Sequence, residues 1–480
     1  MKRYDVVVVG SGPNGFAAGI MAQRAGLSTV ILEAEAKVGG GARSEELTLP
    51  GFIHDIGSAI HPMTVASPYF RTLPLHEFGL EWVHPDAPLA HPLDGGRAIT
   101  LEQSVADTAA QLGVDLEAYV RLMQPVVRDW NRIAPAFLGP LRWPNDPLAL
   151  AGFGLRAVQS ATGLAQRTFK EAPARALFAG LAAHSMLPLE NIVSAAVGMV
   201  LGGLGHVVGW PFPRGGAQQI TNALHQYFVS LGGEVVTEHR VTSLTDLPPA
   251  RATLFNITPR QLLDIEGLTF PLLYQRQLER YQHNQGIFKV DWALSDPIPF
   301  TNPACGRAAT MHLGGTMEEI AASEHDLWHQ KHSDNPYVLL VQQTVFDPSR
   351  APEGKHTAWA YCHVPRYSTV DMTEVIERQV ARFAPGFRDT ILDKHTMNTH
   401  QVQQYNANYI GGDINGGAQT PTQQFTRPTL SLTPYRTPLE GVYLCSASTP
   451  PGGAVHGMCG YHAARVALKD VFDIEVASVS

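Results

Sequence analysis

Tyr4-Asp5-Val6-Val7-Val8-Val9-Gly10-Ser11-Gly12-Pro13-Asn14-Gly15 opens the chain, and an apolar stretch carries it on to Glu33. Four consecutive valines predict a strand buried on both faces, and Gly-x-Gly-x-x-Gly follows at once. Each glycine has its own task. Gly10 permits the tight turn, Gly12 lets backbone approach a pyrophosphate, and Gly15 lets the following helix pack close to the strand. Pro13 and Asn14 belong to the same phosphate-facing turn, where the free amides of a helix N-terminus favour an anion. Glu33 closes a second strand, Thr29 to Leu32, where its carboxylate can accept hydrogen bonds from ribose hydroxyls. Strand, glycine triplet, helix and acid in this order predict an adenine dinucleotide site.

The next segment decides which dinucleotide. After Glu33 runs Ala34-Glu35-Ala36-Lys37-Val38-Gly39-Gly40-Gly41-Ala42-Arg43-Ser44. A nicotinamide site needs no second glycine cluster directly after the ribose acid. FAD, lying extended across its domain, does need further close backbone contact, here from Ala34, Gly40, Gly41 and Ala42. Arg43 is placed to neutralise phosphate charge. The expected cofactor is FAD.

Composition narrows the rest. The 480 residues suffice for two domains with sizeable cores, and only 16% of them are charged. A net charge of −8 with no basic run argues against nucleic acid as a partner. Cys305, Cys362, Cys445 and Cys459 form no C-x-x-C pair, which excludes the dithiol chemistry of disulfide reductases, and show no metal-like spacing, so no metal is expected. The first strand begins at Tyr4, which leaves no signal peptide ahead of it and gives a cytoplasmic expectation. No Asp, Glu, Lys or Arg occurs between Glu190 and Arg214. Ile192 to Trp210 is therefore long enough to be weighed as a membrane span, but its glycines and following prolines favour a buried helix and a glycine-rich loop.

The predicted fold class is α/β. A Rossmann-like FAD-binding domain is assembled from residues 1–65, 209–265 and 401–480, and a mixed α+β substrate domain with a helical lid from 66–208 and 266–400. In the middle piece, Ile220, Leu224, Phe228 and Leu231 mark an amphipathic helix. Strands are expected at Glu234 to Thr237, Val241 to Leu244 and Thr253 to Ile257. In the last piece, Gly441 to Cys445 reads as a strand entering Ser446-Ala447-Ser448-Thr449-Pro450-Pro451-Gly452-Gly453-Ala454-Val455-His456-Gly457, then a helix through Phe472. That loop suits the flavin ring and ribityl chain. The first insertion looks helical: Leu116, Tyr119, Val120, Met123, Val126, Val127, Trp130 and Ile133 keep a 3.6 period behind Asp115 as N-cap. The second contains strand-like runs at Ile287 to Leu294, Tyr337 to Phe346 and Thr357 to Val364. Gly203-Leu204-Gly205-His206-Val207-Val208-Gly209 lacks a preceding strand and is rejected as a second nucleotide site.

With these motifs the chain resembles the phytoene desaturase-like flavoproteins, within the wider group that includes amine oxidases and Rab GDP-dissociation inhibitors. The more specific parts are Pro213-Arg214-Gly215-Gly216, the Asp347-Pro348 to Gly354-Lys355 segment, and Leu444 to Gly457 followed by Cys459-Gly460-Tyr461-His462-Ala463-Ala464. The resemblance implies noncovalent FAD, adenine beside the backbone near Val241, flavin contacts from Ser448, Gly453, Ala454 and Val455, and an apolar tunnel that often opens at a membrane surface. It also marks a departure. Many flavin sites carry Gly-Asp after the last strand, whereas this chain has Ser446-Ala447, so backbone amides and Ser448 must serve instead.

The function this implies is an FAD-dependent oxidoreductase (desaturase, dehydrogenase or isomerase) acting on a long apolar, isoprenoid- or carotenoid-like molecule by hydride transfer to flavin N5. The alternatives are a flavin amine oxidase and a non-catalytic isoprenoid binder. Catalytic candidates are His61, in a segment that follows the second glycine cluster, and His456, at a helix opening whose dipole would disfavour imidazolium. Each has an ordinary alternative as a hydrogen-bonded packing histidine. Asp129 with Arg132 is better read as a solvated helix face, and Tyr405, Asn406 and Tyr409 as tunnel lining. The expected partner is an apolar small molecule. A membrane-dipping entrance near Met199 is a hypothesis for peripheral membrane contact, and self-association as a homo-oligomer is left open.

Overall fold

The computed structural model describes residues 2–140, 143 and 146–479. Its first sheet is parallel, in the order Val442–Leu444, Ala250–Phe255, Tyr4–Val9, Thr29–Leu32, Glu234–Val236. Strands from three distant parts of the chain therefore form one surface. The valines of Tyr4–Val9 lie at its centre and are buried on both faces, as parallel sheets require. Gly10 leaves this strand at φ +96°. A Cβ on Gly15 would sit 1.9 Å from the Gly10 carbonyl oxygen, so only glycine lets the helix Pro13–Arg24 lie so close to the strand. Gly460 does the same for the crossing of Met458–Phe472, where a Cβ would fall 1.8 Å from the Asn14 oxygen.

The second sheet has seven strands in the order Ile391–Met397, Gly286–Leu294, His356–Val364, Val338–Val341, Ala308–Leu313, Ala87–Leu93, Arg97–Leu101. Neighbours are antiparallel except Ala308–Leu313 beside Ala87–Leu93. Because side chains alternate, Val290, Trp292, Met311, Leu340 and Ala360 share a core with the helix Thr373–Phe383 through Ile376, Val380 and Phe383. The opposite face sets Thr310, Val341 and Trp359 in one cross-strand row, and His312, Leu339 and Tyr361 in the next. A helical layer, including Leu116–Arg128, Ala172–Ala183 and Ser194–Val207, packs around Met123, Leu177, Phe178 and Met199.

Several local expectations change. Asp115 precedes Leu116–Arg128 but caps nothing there; its carboxylate accepts the Lys170 and Glu171 amides, both at 2.8 Å, just ahead of Ala172–Ala183. The segment 66–208 is not all helical, since it supplies Ala87–Leu93 and Arg97–Leu101. Val241 to Leu244 is not a strand. The Asp246 carboxylate collects the Thr242 and Ser243 amides at 2.8 and 2.9 Å and winds a turn over Leu244–Asp246, leaving only an isolated Ser243–Glu266 bridge. The run from Tyr337 stays extended only over Val338–Val341, and Gln343–Val345 is a turn. Between Ile192 and Trp210 the helix covers Ser194–Val207, 14 residues, with Met199 fully buried; among the described residues no helix is long and apolar enough to cross a membrane.

Candidate functional site

A cavity of about 750 Å³ passes along the ends of the first sheet and on to the second. Its first part is the glycine fingerprint. Gly10, Gly12, Pro13, Asn14, Glu33, Ala34, Gly40, Gly41, Ala42, Arg43 and Val241 all line it, whereas Gly15 is spent on helix–strand packing. The helix begins at Gly12 without a side-chain cap, so no hydroxyl or carboxylate competes for the amides of its first turn. Asn14 Oδ1 is buried without a hydrogen-bond partner beside them. Glu33 is held in place: one oxygen accepts the Ser11 amide at 2.8 Å and the Ser11 hydroxyl at 2.5 Å, and the other accepts the Glu35 amide at 3.0 Å. Arg43 donates Nε–H to the Gly40 carbonyl at 3.1 Å and lies 4.3 Å over the Tyr405 ring. It has no ion pair among the described residues, so its charge remains available to an anion. Gly40 presses on Gly12, where a Cβ would come within 3.1 Å of the Gly12 Cα. An uncapped helix start, a fixed acid, a free cation and glycine-only backbone fit a dinucleotide.

The middle part is lined by Ser58, His61, Tyr405, Asn406, Tyr409, Ser448, Gly453, Ala454 and Val455. Ser448 donates to the Gly416 carbonyl at 3.0 Å. Ala454 is held at φ +104°, a conformation costly for a residue with a Cβ and typical of ligand-gripping loops. These residues, with the fingerprint, would hold FAD.

The two catalytic candidates differ in position. His61 lines the cavity, its Nε2 is buried without a partner, and burial pushes its pKa down to about 4. His456 is not part of the lining. Its Nδ1 accepts the Met458 amide at 3.0 Å, and burial, not the helix dipole, is the leading cause that pushes it down to about 4. Asp129 pairs with Arg128 and Arg132 away from the cavity. The four cysteines are buried and unpaired, with thiols pushed upward by burial, and among the described residues no group of three His, Cys, Asp or Glu could hold a metal.

The resemblance implied an apolar tunnel, but the residues that build the third part were not foreseen from sequence. Beyond His61 the wall is built by Met63, Leu187, Val200, Leu201 and Trp210 on the helical side, and by Thr310, Leu339, Trp359 and Tyr361 on the sheet side, with His184 between. Only the i, i+2 pairing of Trp359 with Tyr361 hinted at a common face.

Comparisons with known proteins speak to the class and the fold. The sequence model of FAD dependent oxidoreductases matches residues 5–54. Over 98% of its length the chain is 23% identical to the pyridine nucleotide-disulfide oxidoreductase domain-containing protein 2 of Rattus norvegicus, covering 94% of that protein. It is 21% identical to the lycopene-forming phytoene desaturase of Pseudescherichia vulneris, across 98% of this chain and 99% of that one. Its fold is that of cyclohexylamine oxidase from Brevibacterium oxydans IH-35A, with a TM-score of 0.61, 16% identity, and 98% and 99% of the two chains covered. The protein is an FAD-dependent oxidoreductase. Within that class it is similar to the phytoene desaturase-like flavoproteins.

Proposed function

We propose that this enzyme oxidises a neutral, largely apolar molecule held in the third part of the cavity, by hydride transfer to FAD. The observation that carries the reading is the distribution of charge. Every Asp, Glu, Lys or Arg in the lining (Glu33, Glu35, Arg43, Arg240 and Asp264) belongs to the dinucleotide end. The ionisable side chains with basic sites farther along, His61 and His184, are kept neutral by burial. A charged ligand there would lose hydration with no counter-charge in return. When bound, FAD supplies the two-electron acceptor at N5. The chain's own part is to exclude water with Leu187, Val200, Leu201, Trp210 and Tyr361 and to present the substrate's C–H without competing charge.

An amine oxidase shares the fold, but an ammonium substrate would find no carboxylate in this chamber. The long isoprenoid-like substrate expected from sequence stays within the proposal, as a chain that fits these walls. Trp143, Leu148 and Leu155 are 85%, 86% and 74% exposed, Ile192 is exposed too, and the helix Pro147–Ala157 that carries Leu148 and Leu155 packs on Ser194–Val207, which carries the cavity-lining Val197. We read these exposed residues as a site of peripheral membrane contact from which an apolar substrate enters.

The test is the visible spectrum of purified enzyme and its anaerobic bleaching by candidate substrates. Bleaching by a neutral polyene or terpenoid supports the reading, and bleaching by amines alone overturns it.

A further inference from the structure

His184 follows the helix Ala172–Ala183 and lines the chamber, with a chain of buried polar groups behind it. Its Nε2 lies 3.0 Å from His312 Nε2 and 3.4 Å from Tyr337 Oη. Tyr337 donates its own proton to the Gly180 carbonyl at 3.0 Å, so its oxygen can only accept from His184. The Nε2 of His184 therefore carries the hydrogen, shared with His312 Nε2.

His91 Nε2 lies 2.8 Å from the Gly315 carbonyl, which can only accept, so His91 Nδ1 is a bare lone pair. His312, accepting at Nε2 while neutral, carries its hydrogen on Nδ1. His312 Nδ1 and His91 Nδ1 flank Gly180, where an added Cβ would lie 2.9 and 3.1 Å from them. Neither Nδ1 has a hydrogen-bond partner, so the tautomers of His184 and His312 rest on the Tyr337 contact. Burial, with His91 and His184 adding to the effect at His312, keeps all three rings neutral. His184 alone among them is partly accessible, and its Nδ1 makes no hydrogen bond. With Nε2–H fixed, that Nδ1 is an acceptor on the chamber wall.

We infer that the chamber selects a neutral apolar molecule carrying one hydroxyl group, whose O–H donates to Nδ1 of His184, with His312 and Tyr337 as positioning residues that fix the tautomer. The inference rests on the reading of the chamber as a neutral substrate site and narrows it. A hydrocarbon leaves Nδ1 unpaired, a ketone has no hydrogen to give it, and an ammonium group brings a charge the walls do not balance.

The experiment is calorimetric titration of the FAD-loaded enzyme, reduced beforehand with dithionite so that nothing turns over. The probes are p-menthane, menthol, menthone and menthylamine, with phytane and phytol as a longer pair. Menthol is expected to bind about tenfold more tightly than menthane or menthone, as one additional net hydrogen bond gives. His184→Phe should erase that preference, with menthane affinity equal to or above that of the unmodified enzyme, and His184→Gln, with a carbonyl oxygen to offer, should restore part of it. Equal binding of menthol and menthane, or a preference that survives His184→Phe, overturns the inference and leaves the neutral chamber standing. Binding by menthylamine alone, or by no probe in either series, overturns both. Should His184→Phe fail to retain FAD, the unmodified enzyme's ranking of the four menthane probes decides the question by itself.

Discussion

Glu33 shows how a single residue is committed before any cofactor arrives. Ser11 and Glu35 fix both carboxylate oxygens at the cavity edge, and the oxygen that accepts the Glu35 amide keeps acceptor capacity for ribose. Glu33→Ala should weaken FAD binding at least about tenfold, since hydrogen bonds to a charged group contribute about 1.5–3 kcal/mol each. Fluorescence titration of apoprotein with FAD measures this, and an unchanged affinity would remove Glu33 from the site. The histidines make a second prediction. His54, His61, His91 and His456 have folded pKa values near 4 and His184 near 3, against 6.5 for the free side chain. A folded pKa below the unfolded one means that unfolding takes up a proton between the two values. The stability these groups give is intact above about pH 6.5 and is lost as the pH falls toward 4. Thermal unfolding should therefore show little pH dependence from these histidines between pH 7 and 8, and a midpoint that drops steeply below 6.5.

At the level of elements, what the sequence made legible was whatever is local. The strand Tyr4–Val9, the turn at Gly10 and the helix from Pro13 depend on one contiguous stretch, and their signals agree. The strand Ala87–Leu93 was missed because Pro88, Pro92 and two alanines hide its period; its place comes from pairing with Ala308–Leu313, more than 200 residues away. Val241 to Leu244 has strand-forming residues, but the Asp246 side chain offers its amides a nearer acceptor. The walls of the chamber beyond His61 were illegible for the same reason as Ala87–Leu93, although the resemblance implied an apolar tunnel: His184, Thr310 and Trp359 meet only once a helix end and two strands are packed. Asp115 gives the test at this scale. Asp115→Ala leaves the Lys170 and Glu171 amides without their acceptor and should cost about 1–3 kcal/mol in denaturant unfolding. Asp115→Asn, keeping one acceptor oxygen, should cost less.

At the scale of the whole molecule, the cavity is graded: its Asp, Glu, Lys and Arg lining lies at the dinucleotide end and none lies beyond His61, while Trp143, Leu148 and Leu155 stand exposed outside it. Flotation with liposomes should carry the enzyme upward, and Leu148→Glu with Leu155→Glu should abolish this without altering the flavin spectrum. Enzyme that never floats at any lipid composition would leave those residues without a membrane role. The order of strands in the first sheet has a further consequence, in time rather than in space. Val442–Leu444 and the Ser448–Val455 loop leave the ribosome hundreds of residues after the glycine fingerprint they complete. A nascent chain thus carries half a cofactor site through most of its synthesis, and yellow colour becomes a mark of a chain whose last strand has been translated and docked.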